Sequence, residues 1–241
     1  MTAAGWLTAD EWSAVRLSIV VALVATAASL PFGIALGHLL ARRRFRGKSL
    51  VETLISLPLV LPPVVTGYLL LVTFGSQGFV GRFLQDRLGI RIVFTWKAAA
   101  LASAVMAFPL MVRAMRVAFA DVDARLEQVA RTLGASRFDA FCTVTLPLAR
   151  RGIIAGAVLA FARSIGEFGA TMMIAGSIPG QTQTIPLYVY SAVQSPGGME
   201  HGARLVVVSI LIAAGALVVS ELFDRRVGWQ PARSETASER E

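Results

Sequence analysis

Arg163 and Glu167 lie four residues apart inside FARSIGEFGATMM, the run from Phe161 to Met173, where every other side chain is uncharged. On a helix that spacing puts both side chains on one face. Either charge alone at the middle of a membrane is costly, so the two are expected to point inward and to pair. Two readings stay open: the pair lines a solute pathway, or it is a neutralised ion pair that only holds helices together. Pairing suits an anion route better than an exposed carboxylate, which would repel the solute. Gly166 and Gly169 permit close helix approach here, and Gly152 and Gly156 form a small-xxx-small pair lower on the same span.

Other reactive chemistry is sparse. Cys142 is alone, and His38 and His201 are far apart in sequence. Neither a disulfide nor a cysteine metal cluster is expected from such a set. A nucleotide-binding GxxxxGK[ST] loop is absent from the sequence, so ATP chemistry on this chain is not expected. The second constellation acts through the backbone. In LPLVLPPVVTGY, Leu57 to Tyr68, the residues Pro58, Pro62 and Pro63 lack an N–H and free the carbonyls of Leu54, Pro58 and Leu59. A membrane tolerates freed carbonyls only where protein or a water-filled cavity covers them. This stretch therefore faces other helices or a pathway; a kink without solute contact is the alternative.

The third constellation is LEQVARTLGASRFDAFCTVTLPLAR, Leu126 to Arg150, a polar segment between two long apolar runs. Arg125 to Leu133 suits two helical turns, and Gly134 suits the left-handed residue that ends them. Ser136 and Asp139 suit the cap of a second short helix, and Pro147 suits the first turn of the span that follows. Two short helices at a bend make a compact knob, with Phe138 and Phe141 expected outside to fill a partner's pocket. An amphipathic helix lying on lipid is the alternative.

These residues need elements to carry them. With 55% hydrophobic and 16% charged residues and a mean hydropathy of +0.65, the 241-residue chain is too apolar for an ordinary soluble domain. About 20 apolar residues cross a bilayer as a helix. Five such spans are expected, near Ser13–Leu40, Leu50–Phe74, Trp96–Phe119, Arg151–Ala175 and Arg204–Phe223. The net charge of +8 sits between the apolar runs, which points to membrane topology and away from nucleic acid. Arg42 to Lys48, Arg113 to Arg151 and the C-terminal tail are basic, while Gly176 to Gly202 has no Lys or Arg. This places the N-terminus outside and the C-terminus in the cytoplasm. Arg82, Arg87 and Arg91, on the loop Gly75 to Thr95, dissent. The N-terminus lacks the basic start of a cleavable signal peptide. The uncharged segment Ser177 to Gly198 is read as an outer lid or partner surface, or as a plain connection with a short helix. Residues 229–241 are read as a disordered polar tail.

The Leu126–Arg150 segment resembles the EAA motif of ABC-transporter permeases of the importer type. That motif has a G-x9-I-x-L-P core, which here is Gly134, nine residues, Val144, Thr145, Leu146 and Pro147. The EAA helix aligns on Gln128, Val129 and Ala130, so the usual Glu is Gln128, with Glu127 before it. LPLVLPPVVTGYLLL, LAFARSIGEFGATMMIAGSIPGQTQTIPLYVY and the following QSPGG extend the resemblance over nearly the whole chain, nearest to molybdate permeases, with tungstate and sulfate permeases related. The resemblance implies an all-α membrane domain over 1–228 with five, or six, transmembrane helices and a cytoplasmic coupling segment near 121–147. It implies Glu127, Gln128, Ala130, Gly134, Ala135, Phe138, Leu146 and Pro147 as the ATPase-coupling residues. Pro58, Pro62, Pro63, Arg163, Glu167 and Gly169 are the pathway or helix-packing candidates. It implies a homodimer, two copies of an ATPase that hold ATP and Mg, and an extracytoplasmic binding protein. The chain itself is expected to bind no cofactor and no metal. A secondary transporter or channel acting alone, or a membrane anchor, are the rival classes.

Overall fold

The computed structural model describes residues 6–226, with side chains through residue 219; the expected tail, 229–241, lies outside the described residues. Every regular element among them is helical. Long apolar runs without bulk water leave the backbone no other partner than itself. Four helices are long and apolar enough to span: α1 (Ala9–Arg42), α5 (Trp96–Asp121), the helix from Arg137 to Ile165, and, within α11 (Met199–Arg226), the stretch Met199–Val219. The pair α2 (Lys48–Val60) and α3 (Pro63–Phe74) is long and apolar enough together for a fifth, and is bent by 111° as a broken span or a re-entrant loop would be. Against the five expected spans, the described residues thus hold four continuous ones, or five if the bent pair counts as one, and the expected Arg151–Ala175 is replaced by Arg137–Ile165.

α1 and α5 form the centre of the bundle. Gly33 and Gly37 face Met111 and Met115, so closely that a Cβ on Gly37 would lie 2.8 Å from the Met115 Cβ. The Gly33-xxx-Gly37 spacing is the small-residue signature of close helix approach, and it is legible in the sequence once α5 is known as its partner. The helix α8 (Leu146–Ile165) packs against α5 too, with Gly152 and Gly156 against Ala118 and Ala114, as the small-xxx-small spacing predicts. One core cluster, around Met111, Met115 and Phe119, fills the end near Arg42, and another, around Val21, Ala98 and Ile174, fills the opposite half.

The two ends of the bundle are chemically distinct. One carries the chain from Asp121 to Arg150. The other carries the start of α1, where Glu11 is fully buried. The carboxylate of Glu11 accepts from the Thr8 N–H and meets His201 Nδ1 of α11 at 2.9 Å. The Thr8-x-x-Glu11 capping box just before an apolar run is a start signal for α1 that sequence reasoning passed over. Between α5 and α3 lies the short helix α4 (Phe79–Leu88). The segment after residue 175 is built, not loose. Thr182 accepts from the Ile178 N–H, the Ile185 N–H donates to Ser18 of α1, and Gln183 bridges Ser177 and Ser191. It contains the helix α10 (Ile185–Val193).

Candidate functional site

The knob begins where Val122 ends α5. The helix α6 (Ala124–Thr132) is capped by Asp123, whose carboxylate accepts from the Arg125 N–H at 2.9 Å. Gly134 then takes φ +98°, and the Ala135 N–H closes back on the Ala130 carbonyl at 3.1 Å. This is the left-handed stop the sequence predicts. Ser136 and Asp139 form the predicted reciprocal cap on α7 (Arg137–Ala140).

The junction with the membrane differs from expectation. α7 is a single turn and does not stand as a separate helix; it runs through a wide π turn, Phe141–Thr145, directly into α8. Pro147 lies in the first turn of α8. Its ring would crowd the carbonyl four residues back, at Thr143, in a regular helix. The wide turn, closed by the Leu146 N–H on the Phe141 carbonyl, takes up that misfit.

The knob is fixed to three spans at its base. Buried Thr145 donates to Glu127 Oε2 at 3.4 Å, which ties α6 to the π turn. Arg42 at the end of α1 donates to the Val122 carbonyl at 2.7 Å. His38 of α1 is edge-on to Phe119 of α5 and to Phe141, at 5.3 and 4.8 Å between ring centroids. Phe141 is therefore turned inward, where the sequence reading had it exposed. Phe138 is outside as predicted, 74% exposed, and Leu133 joins it at 83%. Gln128 and Pro147 are exposed, while Glu127, Ala130, Ala135 and Leu146 are half-buried. Beside the knob, a groove of about 970 Å³ runs between the end of α5 and the start of α8, lined by Asp121, Asp123, Leu126, Pro147, Arg150 and Arg151.

The second group of candidates meets at two helix breaks. Pro62 sits at the start of α3 and Pro63 is its first residue, where a missing N–H costs nothing. They produce the 111° bend, larger than a kink. Pro58 stays inside α2. The expected span Arg151–Ala175 is likewise not continuous. α8 stops at Ile165, and α9 (Gly169–Ala175) starts after Phe168. Glu167 lies in that break, not on a continuous helix face. Its buried carboxylate binds Arg163 Nη1 at 2.8 Å and accepts from the Ala170 N–H at 3.0 Å. The expected pair thus forms, and it also caps α9.

The breaks pack on each other. A Cβ on Gly169 would lie 2.8 Å from the Pro63 Cβ, and one on Gly67 would lie 2.7 Å from Ala170 Cα. α3 and α9 therefore run side by side in the same direction from adjacent breaks. Gly166 has open space around it, so only Gly169 serves the close approach expected of both. Two further links were not anticipated: Arg116 to Glu52 at 2.9 Å and Arg113 to Ser56 at 3.1 Å, both joining α5 to α2. Each partner is polar and lies inside an expected span, which is the signal that would have found them.

Comparison with known proteins fits this geometry. The chain is 55% identical over 219 residues to the "Molybdenum transport system permease protein ModB" of Escherichia coli (strain K12), covering 91% of this chain and 96% of that one. It is 51% identical over 217 residues to the protein of the same name from Haemophilus influenzae, covering 90% and 95%. Its fold matches a chain of a bacterial alginate ABC transporter, solved with an alginate pentasaccharide-bound periplasmic protein. The TM-score is 0.72 at 16% identity, over 92% of this chain and 81% of that chain. Residues 29–229 match the family described as "Binding-protein-dependent transport system inner membrane component", and the chain belongs to that family.

Proposed function

We propose that this chain is the permease subunit of an ABC importer that carries molybdate across the cytoplasmic membrane of a prokaryote. Two copies form the pathway. Two copies of a separate ATPase, holding ATP and Mg, dock on the knobs, and an external molybdate-binding protein delivers the anion. The chain performs no catalysis and holds no cofactor of its own. The knob end faces the cytoplasm, the N-terminus lies outside, and the C-terminus returns to the cytoplasm. The names of the two relatives support the solute. Tungstate and sulfate are the alternatives within the family.

The observation that carries the reading is the knob itself. Leu133 and Phe138 project from either side of Gly134, while the base is held by α1, α5 and α8. Exposed apolar side chains on a fixed base suit a partner's pocket, and a rigid base passes the partner's motion on. ATP binding closes the ATPase pair, the knobs move as rigid bodies, and the spans tilt between inward and outward openings. In the pathway, Glu167 is neutralised by Arg163 and by the α9 backbone, so it presents little repulsion to a dianion.

The test is uptake into vesicles that contain the permease, its ATPase and the binding protein. Molybdate uptake should require ATP inside the ATPase compartment and the binding protein on the other side. Tungstate and sulfate, offered as competitors, rank the solutes. Uptake driven by an ion gradient without nucleotide would replace this reading with that of a solitary secondary transporter.

A further inference from the structure

The arginines that dissent from the charge pattern sit on one small element. Arg82 and Arg87 belong to α4, and Arg91 follows it. α4 is bound to the end of α3 as closely as backbones allow: a Cβ on Gly81 would overlap the carbonyl oxygens of Phe74 and Gly75. Its far end is closed by Gly89, at φ +63°, with the Ile90 N–H on the Leu84 carbonyl. It is thus a fixed helix with a defined orientation. Gly81, Leu84 and Gln85 face the protein, against Phe74, Ile92 and Phe94 around a cavity of about 190 Å³.

The opposite face is unusual for a water-exposed helix. Phe79 is 90% exposed and Phe83, one turn on, 59%. Arg82 and Arg87 flank them, with Asp86 between, and all three are exposed. Among the described residues no carboxylate lies within ion-pair distance of Arg82, Arg87 or Arg91. Apolar rings flanked by arginines are the pattern of a helix lying in a membrane interface.

Independent markers place α4 at that depth. Trp6 and Trp12 at the start of α1, and Phe94 and Trp96 at the start of α5, are all exposed at the end opposite the knob. Exposed aromatics at helix ends form the belt that marks the headgroup level. α4 packs beside Phe94, within this belt. Leu69 and Val72 of α3, the helix to which α4 is bound, are exposed apolar side chains as well.

We propose that α4 is an interfacial anchor on the bilayer surface at the end opposite the knob, with Phe79 and Phe83 at the acyl boundary and Arg82 and Arg87 on lipid phosphates. The arginines that offend the charge rule are then neutralised by lipid. The anchor fixes the height of α3, and with it the break at Pro62 and Pro63, against the bilayer. Neither point depends on which side of the membrane this end faces.

The test uses the complete complex, permease with its ATPase, in vesicles of phosphatidylethanolamine and phosphatidylglycerol. A nitroxide is attached at Phe79→Cys in a Cys142→Ser background that still transports, with Phe83→Cys as the second site if the first does not assemble. The label should lie about 5–10 Å below the phosphates, relaxed by oxygen and protected from an aqueous nickel chelate. Changing Arg82 and Arg87 together to Gln should raise the nickel collision rate several-fold. Free access of nickel to both labels would overturn the proposal. So would protection from both reagents, or protection that appears only when the binding protein is added, since each would mean a protein partner covers this face. An unchanged label depth after loss of both arginines would overturn their assignment to phosphate.

Discussion

A buried carboxylate has to be neutralised, and Glu167 shows how this is arranged with two partners. Arg163 supplies the charge and the Ala170 N–H supplies a second hydrogen bond. The four-residue spacing made the pair legible in the sequence. The helix break did not show, because Ile165 to Phe168 contain no proline; the carboxylate itself satisfies the N–H that the break leaves free. Glu167→Gln keeps the hydrogen-bonding shape and removes the charge. We expect the bundle to lose about 1–3 kcal/mol, read as an earlier thermal unfolding in detergent, together with altered molybdate flux. Unchanged unfolding and uptake would make the pair dispensable.

At the scale of elements, the knob is the part most readable from sequence. Gly134, the Ser136–Asp139 cap and the position of Pro147 each follow from local backbone chemistry, which acts over a few residues. What sequence left out is long-range. Phe141 turns inward because His38 and Phe119, distant in the chain, offer it an aromatic cluster. The π turn exists because the knob and the membrane helix are one continuous rod that must absorb Pro147. The same limit explains why Gly33 and Gly37 went unassigned until α5 was seen against them. Gly37→Leu should push α1 away from Met115 and cost about 1–3 kcal/mol. Since α1 holds the Val122 carbonyl through Arg42, this variant should also reduce uptake per ATP hydrolysed. A variant that folds with normal stability and coupling would show that α1 does not support the knob.

For the whole molecule, the two ends of the bundle carry different work. One end gathers the knob, Arg42 and the groove between α5 and α8; the other gathers the buried Glu11 cluster, α4 and the hydrogen-bonded segment around α10. The packing shows that α1 and α11 start together at one end while α1 and α5 finish together at the other; which end faces the cytoplasm rests on the charge count alone. A reporter fused after Gly198 should be active only outside. Activity in the cytoplasm would invert the sidedness and remove the knob from the ATPase's reach.

The central claim is that the Leu126–Arg150 knob carries the ATPase's motion into the spans. Gly134→Asp tests it most directly, because the left-handed bend and the docking face change while Glu127, Thr145 and the base contacts of α1 remain. The measurement is molybdate uptake alongside ATP hydrolysis in vesicles, with ATPase association followed in the same sample. The account predicts that uptake is lost through weakened docking or through hydrolysis that no longer drives transport. Normal uptake with the ATPase bound as in the unaltered protein would contradict it.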